Sequence, residues 1–309
     1  MHIFGNQAEF VTKACVMTSL RPIGFLLLFA CSSLAQDPRL PARATEAICG
    51  FTSNYRYCDA GNIKQGLSVD MFVGDVQAGH PVNLRFYVNR KPGDFPVDDL
   101  QVEHERLIHV IGVRDDLGEF FHIHPIKTGP GTWRVSHTFT NGGNYKIWCD
   151  VKYQSVSYGV AQPLLTVSGK MGAPRTPLDL KERATASGYD ITLTHSERLA
   201  IGKTNALQFV IRDANGKPIQ IENFLGAPMH LVLIKDDLSV YLHAHPEHRE
   251  FVDSTDPIRF FELFPQPGTY KLVAQFRPKG STLPQDEAIL AEFCVKVGTP
   301  GEVSARTGR

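Results

Sequence analysis

One pattern occurs twice in this chain. His109 opens an apolar run that leads to Asp115-Asp116-Leu117 and then to Phe121-His122-Ile123-His124-Pro125. His230 opens a second run that leads to Asp236-Asp237-Leu238 and then to Leu242-His243-Ala244-His245-Pro246. Matched positions differ by 121 throughout (230 − 109, 236 − 115, 243 − 122, 246 − 125). Self-similarity at a fixed distance means two copies of one structural unit. A unit of roughly 100–120 residues has the size of a single-core domain, so the chain is expected to fold as a tandem pair.

The unit reads as all-β. Apolar runs fall at Leu67–Val73, Val82–Val88, Leu107–Val113, Phe120–Ile123, Trp133–Phe139, Tyr145–Val151 and Leu164–Val167, with Gly, Pro, Asn and Asp between them. Short β-type runs separated by turn residues at this frequency predict a β-sandwich. The second copy repeats the layout: Ile191–Leu193 answers Val69–Met71, Leu207-Gln208-Phe209 answers Leu84-Arg85-Phe86, and Phe264 with Gly268–Leu272 answers Phe139 with Gly143–Ile147. No long amphipathic helix is visible; Leu178–Ser187 could form at most a short one. The copies differ ahead of the matched histidine, where Glu103-His104-Glu105-Arg106 is read as taking the place of Gly226-Ala227-Pro228.

The N-terminus carries an export signal: Arg21 precedes the apolar run Pro22–Ala30, too short to span a bilayer, and Ser33-Leu34-Ala35 offers small residues for cleavage before Gln36. A lipoprotein-type box at Leu28–Cys31 leaves a lipid anchor at Cys31 as the alternative. The expected organisation is a signal peptide over 1–35 (true start Met17 in one reading), a disulfide-pinned lead-in over 36–63, a first sandwich over 64–168, a linker over 169–187, a second sandwich over 188–298 and a disordered tail over 299–309. A secreted or periplasmic location follows, with no transmembrane span after signal removal. Export permits disulfides. Cys49 and Cys58 bracket a short polar stretch and are the favoured pair, although four cysteines allow three pairings; Cys149 and Cys294 read as buried thiols. Lys+Arg and Asp+Glu are both 32, so charge gives no reason to expect nucleic acid as a partner. An envelope protein and a metal ion are the partners left open.

The histidines carry the only strong hint of chemistry. Asp115-Asp116 lies midway between His109 and His122, so a symmetric hairpin would place those two opposite each other. His122 and His124, two apart on a strand, share a face. Three imidazoles then converge on one patch: His109, His122 and His124 in the first copy, His230, His243 and His245 in the second, with His137 and His248 as outer candidates. Three histidines with an open position suit Zn²⁺ or Cu²⁺. Only Met71, Met171 and Met229 remain after the signal, which disfavours a thioether Cu(I) carrier. The competing reading is a metal-free binding or structural module: Ile111, Val113 and Phe120 share the histidine face, so the rings could serve packing alone.

His230-Leu-Val-Leu-Ile-Lys-Asp-Asp-Leu, Leu242-His-Ala-His-Pro and Pro267-Gly-Thr-Tyr-Lys-Leu, with the matching run from His109, resemble exported immunoglobulin-like modules of the YtkA-like and copper-resistance type. The resemblance covers both copies and implies tandem immunoglobulin-like, copper-carrier-like β-sandwiches and copper handling. The N-terminal histidine amine or methionine-rich loop often used by such carriers is not evident. Nothing points to catalysis. His104-Glu105-Arg106-Leu107-Ile108-His109 spaces its histidines five apart ahead of a β-type run, whereas the zinc-protease motif needs four on a helix. No nucleophile elbow or phosphate loop occurs. A non-enzymatic protein is expected.

Overall fold

The computed structural model describes residues 50–52, 55–60, 63–172, 178–246 and 255–300, with the backbone alone for 50–52 and 55–58. The expected signal peptide, Cys49 and with it the Cys49–Cys58 pair, and His248 lie outside the described residues.

The first half contributes β1 (Gly50–Thr52), β2 (Tyr55–Asp59), β3 (Gly66–Phe72), β4 (Val76–Gln77), β5 (Pro81–Lys91), β6 (Phe95–Pro96) and β7 (Ile108–Arg114). It continues with β8 (Phe120–Ile123), β9 (Ile126–Gly129), β10 (Thr132–Thr138), β11 (Gly143–Tyr153), β12 (Val156–Ala161) and β13 (Leu165–Ser168). The second half contributes β14 (Arg183–Ala186), β15 (Tyr189–His195), β16 (Leu199–Ala200), β17 (Asn205–Arg212) and β18 (Ile221–Glu222). It ends with β19 (His230–Lys235), β20 (Tyr241–Ala244), β21 (Ile258–Glu262), β22 (Gly268–Pro278) and β23 (Ile289–Gly298).

Each half is a two-sheet sandwich, and the two halves share a central strand order. In the second, β14-β15-β17-β21 faces β16-β23-β22-β19-β20, and β16 runs parallel to β23. In the first, β3-β5-β10-β9 faces a sheet in which β4 runs parallel to β13, β13 pairs β11, β11 pairs β7 and β7 pairs β8. A first strand shared between the sheets and a central hairpin from the β7/β8 or β19/β20 position is the immunoglobulin-like arrangement. A tyrosine corner appears in both halves: the Tyr145 hydroxyl lies 2.8 Å from the Asn141 carbonyl, and that of Tyr270 lies 2.8 Å from Gln266. The fold is therefore all-β and immunoglobulin-like, twice over.

Three expectations need correction. Leu178–Ser187 contains no helix; Arg183–Ala186 is strand β14, because Ala184 packs into the second core while its neighbours face outward. The lead-in is not wholly irregular: β1 and β2 form a hairpin, and β2 extends the first half's sheet by pairing parallel to β12. The third concerns the hairpin register. His122 lies opposite Ile111, not His109, and His243 lies opposite Val232. The last ladder bond runs from Arg114 N to Glu119 O, leaving a four-residue loop centred one position later than the symmetric reading. Moving the centre by one shifts the pairing by two residues, an even step that leaves every side chain on its expected face. Leu117 and Leu238 hold left-handed conformations in these loops (φ 59° and 63°). That conformation costs a non-glycine residue about 1–2 kcal/mol; for Leu117 it directs a fully buried side chain into the contact between the halves.

Burial separates the strands into two kinds. β17 alternates buried and half-exposed residues, as a strand covered on one face must. β7 is buried at all seven positions and β19 at its first five. Their second face is covered by the other half. Ile108 and Val110 enter the first core and Leu231 and Leu233 the second, while Ile111, Val113, Leu117 and Trp148 meet Val232, Ile234 and Tyr241 in a third cluster between the sandwiches. Trp148 and Tyr241 stack there with ring centroids 4.8 Å apart and planes 12° from parallel. This is why the histidine face reads as apolar along its length.

Candidate metal centre

The histidines occupy one end of that shared face. On β7 the inter-half positions are His109, Ile111 and Val113; on β19 they are His230, Val232 and Ile234. His122 and His243 project from the partner strands, and His124 and His245 follow just beyond. The sequence-predicted trios are thus not two distant sites: all six rings meet between the two halves. His122 and His243 have centroids 5.1 Å apart, and His109 and His243 5.4 Å.

Within each half the rings adopt nearly the same arrangement. His109–His122 is 5.2 Å at 40° and His230–His243 is 5.4 Å at 42°. His109–His124 is 5.0 Å at 84° and His230–His245 is 4.7 Å at 89°. His122–His124 is 4.8 Å at 56° and His243–His245 is 4.7 Å at 50°. Ligand-capable atoms of His230, His243 and His245 all lie within 4.8 Å of one another. So do those of His109, His122 and His243, so the first half's pair draws in a ring from across the interface. His124 keeps its place in the trio, but neither of its buried ring nitrogens has a hydrogen-bond partner among the described residues.

The surroundings fix the tautomers. Nε2 of His109 lies 2.9 Å from the Glu103 carbonyl and Nε2 of His230 lies 2.9 Å from the Phe224 carbonyl. A carbonyl only accepts, so both Nε2 atoms carry the proton and both Nδ1 atoms present a lone pair. Those Nδ1 atoms face Nε2 of His122 at 3.0 Å and Nε2 of His243 at 3.1 Å. Nε2 of His245 also approaches Nδ1 of His230, at 3.2 Å.

The carbonyls come from matched tight turns. Glu103–Arg106 and Phe224–Ala227 each close with reciprocal backbone hydrogen bonds. Each has two left-handed residues at its tip, His104 and Glu105 in one and Leu225 and Gly226 in the other. The true counterpart of Glu103-His104-Glu105-Arg106 is therefore Phe224-Leu225-Gly226-Ala227, two residues earlier than the sequence reading placed it.

Support also comes from across the interface, reciprocally. Nδ1 of His243 donates to Oδ2 of Asp150 at 2.9 Å, and Nδ1 of His122 lies 3.0 Å from Oε1 of Gln275. Asp150 pairs with His109 on the neighbouring strand and Gln275 pairs with His230, so the two are equivalents. Each half thus orients the other's histidine, as the two copies do in a two-fold dimer. Chemically they differ. Asp150, 5% exposed, also accepts from the Tyr241 hydroxyl at 2.6 Å. The Tyr241 position is Phe120 in the first half, and Gln275 leaves its amide nitrogen without a partner among the described residues. Carboxylate goes with tyrosine around one trio, amide with phenylalanine around the other.

Burial disfavours the charged form of His109, His122, His124, His230 and His245. Desolvation, and next the neighbouring His243, lowers the pKa of His109 to about 4. Desolvation and then His109 lower that of His124 to about 2. His122, His230 and His245 are driven well below the usual value, again first by burial and then by adjacent imidazoles. Neutral imidazole is the form that ligates a metal.

Sequence reasoning missed Asp150, Gln275, Tyr241 and His104. A lone aspartate in the apolar run Trp148-Cys149-Asp150-Val151 was the available signal, since a charge in a buried strand needs a partner. His104 stacks on His245 with centroids 3.3 Å apart and presents an edge to His230. His137 does not join the centre; it lies on β10 in the other sheet against Phe121 and Phe139. Cys149 is a buried thiol in the first core, and Cys294 is buried on β23.

Comparison with known proteins gives a family and a fold. The family described as a domain of unknown function, DUF8832, matches residues 62–167 and again residues 184–298, so the chain belongs to it as a tandem pair. A comparison with curated protein sequences found no match. Among solved structures, the Escherichia coli adhesin FdeC is 12% identical, with 76% of this chain and 65% of that chain covered and a TM-score of 0.26. A DUF3823 family protein from Bacteroides ovatus is 12% identical over 65% of this chain and 94% of that one, with a TM-score of 0.22. A membrane-anchored protein of Corynebacterium diphtheriae is 10% identical over 75% and 59%, with a TM-score of 0.23. At such scores the fold assignment rests on the strand order and the tyrosine corners.

Proposed function

We propose that this member of the DUF8832 family is an exported, non-enzymatic metal-binding protein whose two immunoglobulin-like repeats close over a histidine centre for Cu(II) or Zn(II). The observation that carries this is the 3.1 Å approach of His230 Nδ1 to His243 Nε2. The Phe224 carbonyl commits the other nitrogen of His230, and the Asp150 carboxylate commits that of His243. Two lone pairs are left pointing at each other, and a cation resolves the conflict. Nitrogens bound at about 2.0–2.1 Å around a tetrahedral ion stand about 3.3–3.4 Å apart, so ring movements of a few tenths of an ångström admit one. Among the described residues the groups that could hold an ion are all imidazoles, a set that suits Cu(II) and Zn(II). The resemblance to copper-resistance modules points to the same metals, and the signal-like N-terminus to a location outside the cytoplasm.

A metal-free module is the second reading, and one observation favours it. Nε2 of His245 approaches Nδ1 of His230 at 3.2 Å, so a histidine–histidine hydrogen bond can occupy that lone pair without a metal. In the first half, rotation of the Gln275 amide would let it donate to His122 and so restore an ordinary histidine–histidine hydrogen bond. The readings separate on metal analysis of the purified protein, followed by Cu²⁺ and Zn²⁺ titration of the wild type and of a His243→Ala/His245→Ala variant. Metal binding lost in the variant supports the proposal. Failure of the wild type to bind either ion, or equal binding by both proteins, refutes it.

A further inference from the structure

We propose that the two histidine trios form one dinuclear centre that loads in order, the His230/His243/His245 trio first and the His109/His122/His124 trio second. This rests on the reading that the centre binds metal, and goes beyond it in number, coupling and sequence of filling. Three observations carry it.

The trios are congruent. Their three ring-to-ring distances agree within 0.3 Å and their interplanar angles within a few degrees. The rings of the first half are therefore placed like those of the second, although only in the second trio does each ring bring a ligand-capable atom within 4.8 Å of the others. Rotation of the His124 ring, whose two buried nitrogens lack partners among the described residues, would complete the first trio.

The trios also touch. Ligand-capable atoms of His109, His122 and His243 lie within 4.8 Å of one another, so donors of the two trios intermingle. Two ions held by such neighbouring donors would lie close together, as in two-metal sites, where the separation is about 3.5–4 Å. Two dications that close repel strongly unless an anion bridges them. A metal-bound water would supply such an anion by losing its proton to solvent.

Finally, the trios are unequal. Asp150 backs His243 with a carboxylate, itself held by the Tyr241 hydroxyl, whereas Gln275 backs His122 with an amide. A carboxylate behind a ligating imidazole raises its basicity, and loss of such a partner typically weakens metal binding by about 10–100-fold. Asp150 is thus a positioning residue for the first ion.

The test is Cu²⁺ titration of the purified full-length protein, followed by calorimetry and by electron paramagnetic resonance. Two ions per chain are expected, in two steps. The resonance signal should grow up to one equivalent and shrink as the second ion couples to the first. Asp150→Asn should weaken the tighter step 10–100-fold and leave the total at two. His124→Ala should remove the weaker step alone. A wild-type total of one ion, or two ions whose signals simply add, overturns the dinuclear proposal and leaves the metal site standing. A tighter step unchanged by Asp150→Asn overturns the order of filling. No binding at any ratio refutes metal binding itself, and this inference with it.

Discussion

Acidification offers a test of the buried histidine cluster that requires no metal. His109, His122, His124, His230 and His245 all have pKa values lowered from 6.5 by burial. In the unfolded chain each returns to about 6.5. Below that pH the unfolded state binds more protons than the folded one, so stability falls as pH falls. For His109 the loss begins near pH 6.5 and levels off only around its folded value of about 4. A group that stays neutral when folded loses about 1.4 kcal/mol per pH unit over its window. At pH 5 that is about 2 kcal/mol for each ring and on the order of 10 kcal/mol for the five together, comparable with the whole stability of an ordinary domain. Urea unfolding of metal-stripped protein at pH steps from 7.5 to 4.5, followed by tryptophan fluorescence, measures this. Trp148 reports the contact between the halves and Trp133 the first core. The midpoint should collapse between pH 6 and pH 5. A midpoint that holds steady from pH 7.5 to 5 would refute the claim that these rings are neutral and enclosed. Bound metal should move the collapse to lower pH, because protons must then displace it.

Other perturbations address single contacts. Tyr241→Phe removes one of the donors to the buried Asp150 carboxylate and should destabilise the protein by about 1–3 kcal/mol, read as a lower thermal midpoint. Trp148→Ala empties the contact between the halves and should cost about 3–5 kcal/mol, with loss of the 12° stack on Tyr241 visible in near-ultraviolet circular dichroism. Gly112→Ala should be destabilising by about 1–3 kcal/mol, because an added Cβ would stand 2.1 Å from the Phe121 ring; urea midpoints would show it. The matched pair in the second half is Leu233 opposite Leu242, so the ring in one half does the filling that two leucines share in the other. His104→Leu installs the residue found at the matching turn position, Leu225, and should leave the number of bound Cu²⁺ ions unchanged in calorimetry.

Much of this molecule was legible in its sequence, for identifiable reasons. The 121-residue offset and the alternation of apolar runs are local signals, and they suffice for two all-β units with the histidines on one strand face. The hairpin register was misjudged because loop length depends on Leu117 and Leu238 adopting left-handed conformations, which leucine rarely does. The even size of the slip preserved the face and hid the error. What the sequence did not display was contact between the copies. His122 and Gln275 are 153 positions apart, and His243 and Asp150 are 93; no periodicity links them. The strongest available clue was indirect: β7 and β19 are apolar on both faces, more than a sandwich with one solvent-facing side requires.

That double burial also explains why the two copies have diverged where they have. In a true two-fold dimer of identical chains, the residues orienting the two trios would have to be identical. Joining the copies in one chain removes that constraint, and the structure shows it being used at two linked positions. Asp150 replaces the amide of Gln275, and Tyr241 replaces the ring of Phe120. Either change alone would be unfavourable. A buried carboxylate without the tyrosine would lose a donor, and a buried tyrosine hydroxyl without the carboxylate would lack its acceptor. Together they form a satisfied unit with His243 across the interface, while the other trio retains an amide and an apolar ring. The pairing is specific to the histidine centre: the tyrosine corners and turn carbonyls, which serve the fold and the tautomers, remain matched in both halves. Packing alone would not require such a difference. Two ligand sets tuned to different affinities, the proposal made above, would account for it.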